Sequence, residues 1–414
     1  MPETEGTELY YGWKIVFSLF VVLTFTSGLS FYNHSIYLNA LAANPAFDIR
    51  TASGAVSIFF LSGGFAGLLV AKLVQAYDPR IPICGGAVIA CIALSLLPHI
   101  DSILQLYLCY AFFGLGFAGS GLIPATTLVT RWFHRRRAMA LSIASTGLSL
   151  GGVVITPISV VLVGNLGFEL AAPVLGLIYL VGVIPVSLLF LRASPEVMGV
   201  KIDGGVVEAL DGAEPVKQVP DGVSYQHARR SRFFWGIATA YVFLMMAQVG
   251  GISHQYGLVR EQLDEAQTAF VVAILPISSI VGRLLGGWLV GQVSIRWFAM
   301  GMMLTQAVSL TLLATGYSVF ILCVGLALFG ASVGNLLMLQ PLLIADAFGL
   351  KDYAKIFSIC NLMASWGTAI GPAALGYVYT LNGNLYSLSY ALAAGAGFLG
   401  LFLFLMGGRW QHVK

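Results

Sequence analysis

The chain has 414 residues, of which 58% are hydrophobic and 9% charged, with a formal net charge of +3. A soluble globular chain carries about 25% charged residues, so this composition excludes a water-soluble domain and describes a membrane protein. A charge so small and scattered also excludes nucleic-acid binding driven by the protein's field alone.

Apolar runs of about 20 residues, the length that crosses a bilayer core, occur twelve times. In chain order they cover residues 12–38, 51–76, 80–98, 103–129, 137–163, 167–192, 233–255, 266–292, 295–316, 319–345, 354–380 and 386–407. The first is too long for a secretion signal and lacks a small-residue cleavage site, so it reads as a retained helix. Cytoplasmic loops keep an excess of Lys and Arg. With the N-terminus inside, Arg50 and Arg260 fall outside and Arg283 falls in the membrane. The remaining 18 of the 21 lie inside, Arg131, Arg135, Arg136 and Arg137 among them. This orientation puts both termini in the cytoplasm. All five cysteines lie within spans, show no metal-ligand spacing and read as small packing residues; no metal or cofactor is expected.

Residues 193–232 break the apolar pattern with Glu196, Lys201, Asp203, Glu208 and further charges, and read as a cytoplasmic linker. The sequence repeats weakly on either side of it. Leu73, Val74 and Arg80 match Leu289, Val290 and Arg296 at an offset of 216 residues, as Gly114 matches Gly330. Pro124 pairs with Pro341 at 217, and Pro157 with Pro372 at 215. The expected architecture is all-α and integral to the membrane. Twelve transmembrane helices form two six-helix pseudo-repeats, 1–192 and 233–414, around a midplane site exposed alternately to each side. Glycine clusters at 114–121, 147–152 and 330–335 suit close helix packing, and prolines within spans bend helices. Gly147, Pro157 and Pro372 are therefore candidate gating positions.

Several stretches carry a family resemblance. They are "RWFHRRRAMALSIASTGLSLGG" (131–152), "YYGWKIVF" (10–17), "GISHQYGLV" in span 7 and "VGRLLGGWL" in span 8. On these the chain resembles the major facilitator superfamily, and within it the monocarboxylate transporters and the oxalate/formate antiporters. The resemblance implies the major facilitator fold, a transporter of the plasma (inner) membrane acting as a single chain, and an arginine on helix 8 that holds a carboxylate. One departure concerns the cytoplasmic gate. Where the superfamily usually carries Asp-Arg or Asp-Lys between helices 2 and 3, this chain has Gln75 and Ala76, and Gly291 and Gln292 in the second half. Either Asp78 supplies a displaced partner for the basic cluster from Arg131 to Arg137, or the latch is weak.

Arg283 lies about nine residues, or ~13 Å, from the inner end of its span. An arginine at that depth costs at least ~2.5–3.5 kcal/mol, and the 18 acidic residues all fall in tails, loops or helix ends. An unpaired guanidinium facing a water-filled cavity suits an anion, which its planar fork can grip through two parallel hydrogen bonds. The alternative is an arginine satisfied by exposed carbonyls or snorkelling inward. Its repeat mate is Gly67, and span 11 adds no cation beyond Lys355. One cation neutralises a monoanion, whereas a dianion would leave a net charge in low dielectric.

Ser279, one turn before Arg283, shares its face. Asn335 and Asn361 are further substrate-site candidates, with helix-to-helix bonding as the alternative. Phe113, Phe117 and Trp366 could wall the pocket or simply pack. His254 and His34, near the outer ends of spans 7 and 1, are the candidates for exchanging a proton, with His254 preferred. The two are expected to approach each other. The resulting expectation is a secondary transporter of a small monocarboxylate such as lactate or pyruvate, moving with a proton by alternating access. Its partners are then that carboxylate, the proton and the bilayer. The alternatives are an organic-anion exchanger of the oxalate/formate type and a non-transporting membrane sensor, for which the short tails offer no signalling extension. An enzyme is not expected, because no Ser/His/Asp set or metal spacing converges.

Overall fold

Long apolar runs leave each backbone amide to find its partner within its own segment, so the spans become helices. A computed structural model describes residues 10–43, 45–133, 136–202, 222–290, 292–316, 318–349 and 351–408, and these are almost entirely helical. Arg135, Gly291 and the linker positions 203–221 lie outside the described residues.

The first half opens with α1 (Tyr11–Thr26), a π-helical turn at Ser27–Tyr32, and α2 (His34–Ala42). It continues with α3 (Ile49–Ala76), α4 (Arg80–Leu96), α5 (Ile103–Ser120), α6 (Leu122–Trp132) and α7 (Arg137–Phe190). After the short α8 (Tyr225–Ala228) come α9 (Arg232–Arg260), α10 (Glu265–Val271) and α11 (Ile274–Val290). The second half ends with α12 (Ile295–Thr315), α13 (Val319–Phe348), α14 (Tyr353–Leu381) and α15 (Ser387–Met406).

Ten helical stretches among the described residues are long and apolar enough to cross a membrane. One of them, Met139–Phe190, lies within α7, whose 54 residues are two helices meeting at Gly167, at φ 72° and ψ 162°. That left-handed backbone is open to glycine without strain, so α7 makes two crossings. The 29-residue α14, packed along α9 and α3, completes the twelve.

Two proline effects divide spans that the sequence pattern treats as continuous. Proline has no N–H and its ring crowds the carbonyl four residues before it. Pro124 thereby releases the carbonyl of Ser120, where α5 ends; the Thr26 hydroxyl donates to that oxygen at 3.3 Å. Pro276 acts in the same way on Val272, and the eighth span breaks between α10 and α11.

One large apolar core draws on residues from Ile15 to Leu191. Two others draw on Ala228 to Phe404, and Tyr32 and Phe31 of the first half join one of them. The molecule is thus two six-helix halves with a seam between them. The linker emerges at one end of the bundle, hereafter the linker end; the turns after α2, α9 and α14 form the far end. The linker residues that follow position 221 fold onto the second half, the Tyr225 amide donating to Asp352 Oδ2 at 2.7 Å, while Val200 packs against the core of the first.

Candidate functional site

A cavity of about 320 Å³ lies in the seam at mid-depth. The π-helical turn brings Phe31 and Tyr32 to it, α3 brings Phe60 and Gly64, and α7 brings Leu148 and Ser149. A π turn holds more residues than an α turn and is used where a side chain must be re-aimed. Here it rests against α7 through facing glycines: a Cβ on Gly151 would stand 2.6 Å from the Gly28 nitrogen and 2.3 Å from the Thr24 oxygen.

Arg283 of α11 enters the cavity from the second half. Among the described residues it is the one charged side chain in the wall. Its Nε donates to the Gly334 carbonyl and its Nη1 to the Ser145 carbonyl, each at 3.2 Å. Gly334 lets α13 come close enough for this, since a Cβ there would stand 2.2 Å from the Ser279 oxygen. Gly334 belongs to Arg283's own half and Ser145 to the other, so the guanidinium bridges the seam. Neither bond uses Nη2, and no carboxylate among the described residues lies within ion-pair distance. The carbonyl-bonded arrangement and the open fork, which the sequence poses as alternatives, coexist.

The remaining candidates divide between wall and packing. Ser279 is buried behind Arg283, with its Oγ 3.3 Å from Ser149 Oγ, and Tyr32 stands beside both serines and the guanidinium. Phe117 lines the cavity. Phe113 does not; it is buried against Phe59 and His34. Asn335 turns to the helix contact, its Nδ2 donating to the Gly282 and Ala331 carbonyls at 2.9 Å each. Asn361 is exposed one turn nearer the linker end than Ser365, on the face of α14 that also brings Thr368 to the cavity. Trp366 is 63% exposed and shares the face of Leu362 and Ile370, off the wall. Tyr32, Phe31, Phe60 and Ser149 are wall residues that periodicity does not single out: a π turn leaves no mark in a hydrophobic pattern, and an aromatic or serine on a long helix has the same periodicity whether it packs or lines a cavity.

The two histidines go to different places. His34 sits in a box of Phe59, Phe60, Tyr110 and Phe113, and neither ring nitrogen has a hydrogen-bond partner among the described residues. His254 Nε2 donates to the Pro372 carbonyl at 3.0 Å and lies 3.4 Å from Ser53 Oγ of the first half. It is a seam residue, whereas His34 is enclosed within one half.

The model of the Major Facilitator Superfamily matches residues 20–291 and 251–409. The chain belongs to the major facilitator superfamily. An MFS-type transporter of Gibberella moniliformis is 25% identical over 424 residues, spanning 100% of this chain and 95% of that protein. Monocarboxylate transporter 13 of Rattus norvegicus is 23% identical over 409 residues, covering 96% and 90%. Among solved structures, a bacterial homologue of the human lysosomal transporter Spinster superposes with a TM-score of 0.70 at 17% identity, over 99% of this chain and all of that one. The nucleoside transporter NupG gives 0.74 at 11% identity, over 95% of this chain and 100% of its own. At these identities the structures speak for the fold.

In superfamily terms the seam is closed at the far end. The Ala373 amide donates to Ser57 Oγ at 3.0 Å, Arg50 lies over the Tyr377 ring, and His254 meets Ser53. Toward the linker end the Arg283 guanidinium bonds to the Ser145 carbonyl across the seam. Beyond it Met139 and Ile143 of α7 and Leu285 and Trp288 of α11 are exposed.

At that end a pairing of Asp78 with Arg131 gives way to a nearer one. Asp78 accepts from Arg80 Nε at 2.9 Å, two residues along the same turn. Arg131 instead donates to the Val74 carbonyl at 2.7 Å and the Ala193 carbonyl at 3.3 Å, tying together helix ends of one half. Gly147 serves packing in that half too: a Cβ would stand 2.2 Å from the Phe20 carbonyl oxygen on α1. Pro157 lies inside α7 and Pro372 inside α14, where its carbonyl holds His254.

Proposed function

We propose that this superfamily transporter carries an organic monocarboxylate together with a proton. The observation that supports this reading is the guanidinium in the seam cavity, held by one carbonyl from each half and matched by no acidic side chain among the described residues. A carboxylate entering from the linker end is offered the unused Nη2 and can displace the Ser145 carbonyl from Nη1, forming a two-point grip. The bond to Gly334 holds the arginine in its own half meanwhile. One positive charge neutralises one carboxylate; a dianion stays charged in low dielectric. Lactate and pyruvate satisfy this charge rule, which by itself leaves the carbon skeleton open.

His254 is the better placed histidine for the proton. Its Nε2–H is held at the seam, while its Nδ1 has no partner among the described residues. Proton uptake at Nδ1 adds charge where Ser53 and Pro372 bring the halves together, coupling protonation to opening of the far end. The linker and both termini are then cytoplasmic, in the plasma membrane, and one chain forms the whole transport unit because both walls of the cavity belong to it.

The test is uptake into proteoliposomes of labelled monocarboxylates, from lactate to ring-bearing acids, under an inward proton gradient. Gradient-driven uptake of a monocarboxylate that falls at least about tenfold in Arg283→Lys, which keeps the charge but loses the fork, is the expected result. Uptake unaffected by that substitution removes Arg283 from the site. Counterflow that ignores the pH gradient would point to anion exchange instead.

A further inference from the structure

Arg283 is a charged spot on an otherwise apolar wall. Phe31, Tyr32, Phe60, Phe117, Leu148 and Val333 stand around the same space. Of the hydroxyls in the wall, those of Ser149, Ser365 and Thr368 are already committed, while Ser27 and Tyr32 bring two more. Ser149 Oγ pairs with Ser279 Oγ, Ser365 Oγ donates to the Asn361 carbonyl at 2.9 Å, and Thr368 Oγ1 donates to the Ala364 carbonyl at 3.3 Å. The two amides that could have served a second polar group on the substrate do not line this cavity.

This inventory suits lactate and pyruvate poorly. Each carries a hydroxyl or keto oxygen next to the carboxylate, and a largely apolar wall with few polar partners penalises its desolvation. The space is also generous: about 320 Å³ corresponds to roughly ten waters at ~30 Å³ each. A three-carbon acid would leave much of it as water against phenyl rings. An aromatic ring fills it and meets Phe60 and Phe117 in the edge-to-face arrangements that aromatic pairs favour.

Resting on the monocarboxylate reading, we propose that the acid carried is amphipathic, one carboxylate on an aromatic or similarly bulky apolar body of about the size of 3-phenylpropionate. The carboxylate takes Arg283 and the ring lies between α3, α5 and the π-helical turn. Gly64 admits it: on the cavity side of α3, a Cβ at this position meets nothing within 4 Å, so the glycine leaves room that packing does not require.

The experiment is calorimetric titration of the purified full chain with 3-phenylpropionate, lactate and the uncharged 3-phenylpropionamide, repeated for Arg283→Lys and Gly64→Leu. The expected result is phenylpropionate binding at least about tenfold tighter than lactate and than the amide. Arg283→Lys weakens it by a similar factor. Gly64→Leu, which has space to fold normally, weakens phenylpropionate alone, leaving lactate within about twofold. Lactate binding as tightly as phenylpropionate, and lost in Arg283→Lys, overturns the amphipathic substrate while the monocarboxylate reading stands. Binding of the amide as tight as that of the acid, or no binding of either acid, overturns both. Equal weakening of both acids by Gly64→Leu, with an unchanged melting temperature, overturns the placement of the ring against α3.

Discussion

Two polar side chains on neighbouring helices, the half-buried Arg283 and the buried Asn335, are answered differently by their surroundings. Arg283 keeps donors free toward a cavity, whereas both protons of the Asn335 amide go to backbone carbonyls. Arg283→Lys should therefore abolish uptake with little change in melting temperature. Asn335→Leu should do the reverse, lowering stability by about 1 kcal/mol, the scale of such bonds in membranes, with substrate affinity unchanged; titration and thermal unfolding in detergent separate the two. Loss of affinity in Asn335→Leu at normal stability would put the amide in the site. At the linker end, hydrogen bonds from the Arg80 side chain, ahead of any effect of burial, hold the Asp78 carboxyl below the usual carboxylate range. A depressed folded-state pKa contributes stability above the unfolded value and loses it as pH falls through the folded one. Asp78→Asn should then cost under about 1 kcal/mol at neutral pH, with the difference from the native chain vanishing in strong acid. Unfolding curves across that range check it.

At the level of elements, glycines decide how closely helices approach. The contact of α1 with α7 passes through Gly147 and Gly151, where added side chains would meet the Phe20 and Thr24 carbonyl oxygens at 2.2 and 2.3 Å. Backbone cannot yield as a flexible side chain can, so Gly147→Val should cost about 1–3 kcal/mol and lower the melting temperature; an unchanged melting curve would mean that α1 and α7 do not pack as described. The π-helical turn that aims Phe31 and Tyr32 rests on the same contact. The helices themselves were legible from apolar run length, and so was the division of α7 near Gly167. The breaks at Gly121 and between α10 and α11 were not, although Pro124 and Pro276 are visible in the sequence. A proline permits a break or a bend, and which occurs depends on whether a neighbour, such as Thr26 at the Ser120 carbonyl, satisfies the freed group.

Across the whole molecule, the far end is held by close backbone contact as well as by His254. A Cβ on Gly376 of α14 would stand 2.1 Å from Ser53 Oγ and 3.2 Å from the Ile49 carbonyl oxygen on α3. Gly376→Val should therefore disfavour the closed far end and shift the population toward opening there. A cysteine introduced at Ser57, half-buried in that seam where its hydroxyl accepts from Ala373, should then react faster with a membrane-impermeant thiol reagent from the far side. An unaltered labelling rate would show that the seam absorbs the extra methyl groups without opening.

Run length and the offset of 216 residues carried the membrane class, the twelve crossings and the paired halves, because a bilayer imposes one length and one bonding rule on every span. Arg283 stood out for the same reason: a charge among apolar residues is costly wherever its partner lies. The identity of that partner is a tertiary matter. Asn335 and Phe113 are as suitable for a pocket as Tyr32 and Phe60 by residue type; rotation about each helix axis, set by glycine contacts and by one π turn, sent the first pair into packing and the second to the cavity. The same rotations placed His34 in an aromatic box and His254 at the seam, since periodicity describes the faces of a helix but not which neighbour each face will meet.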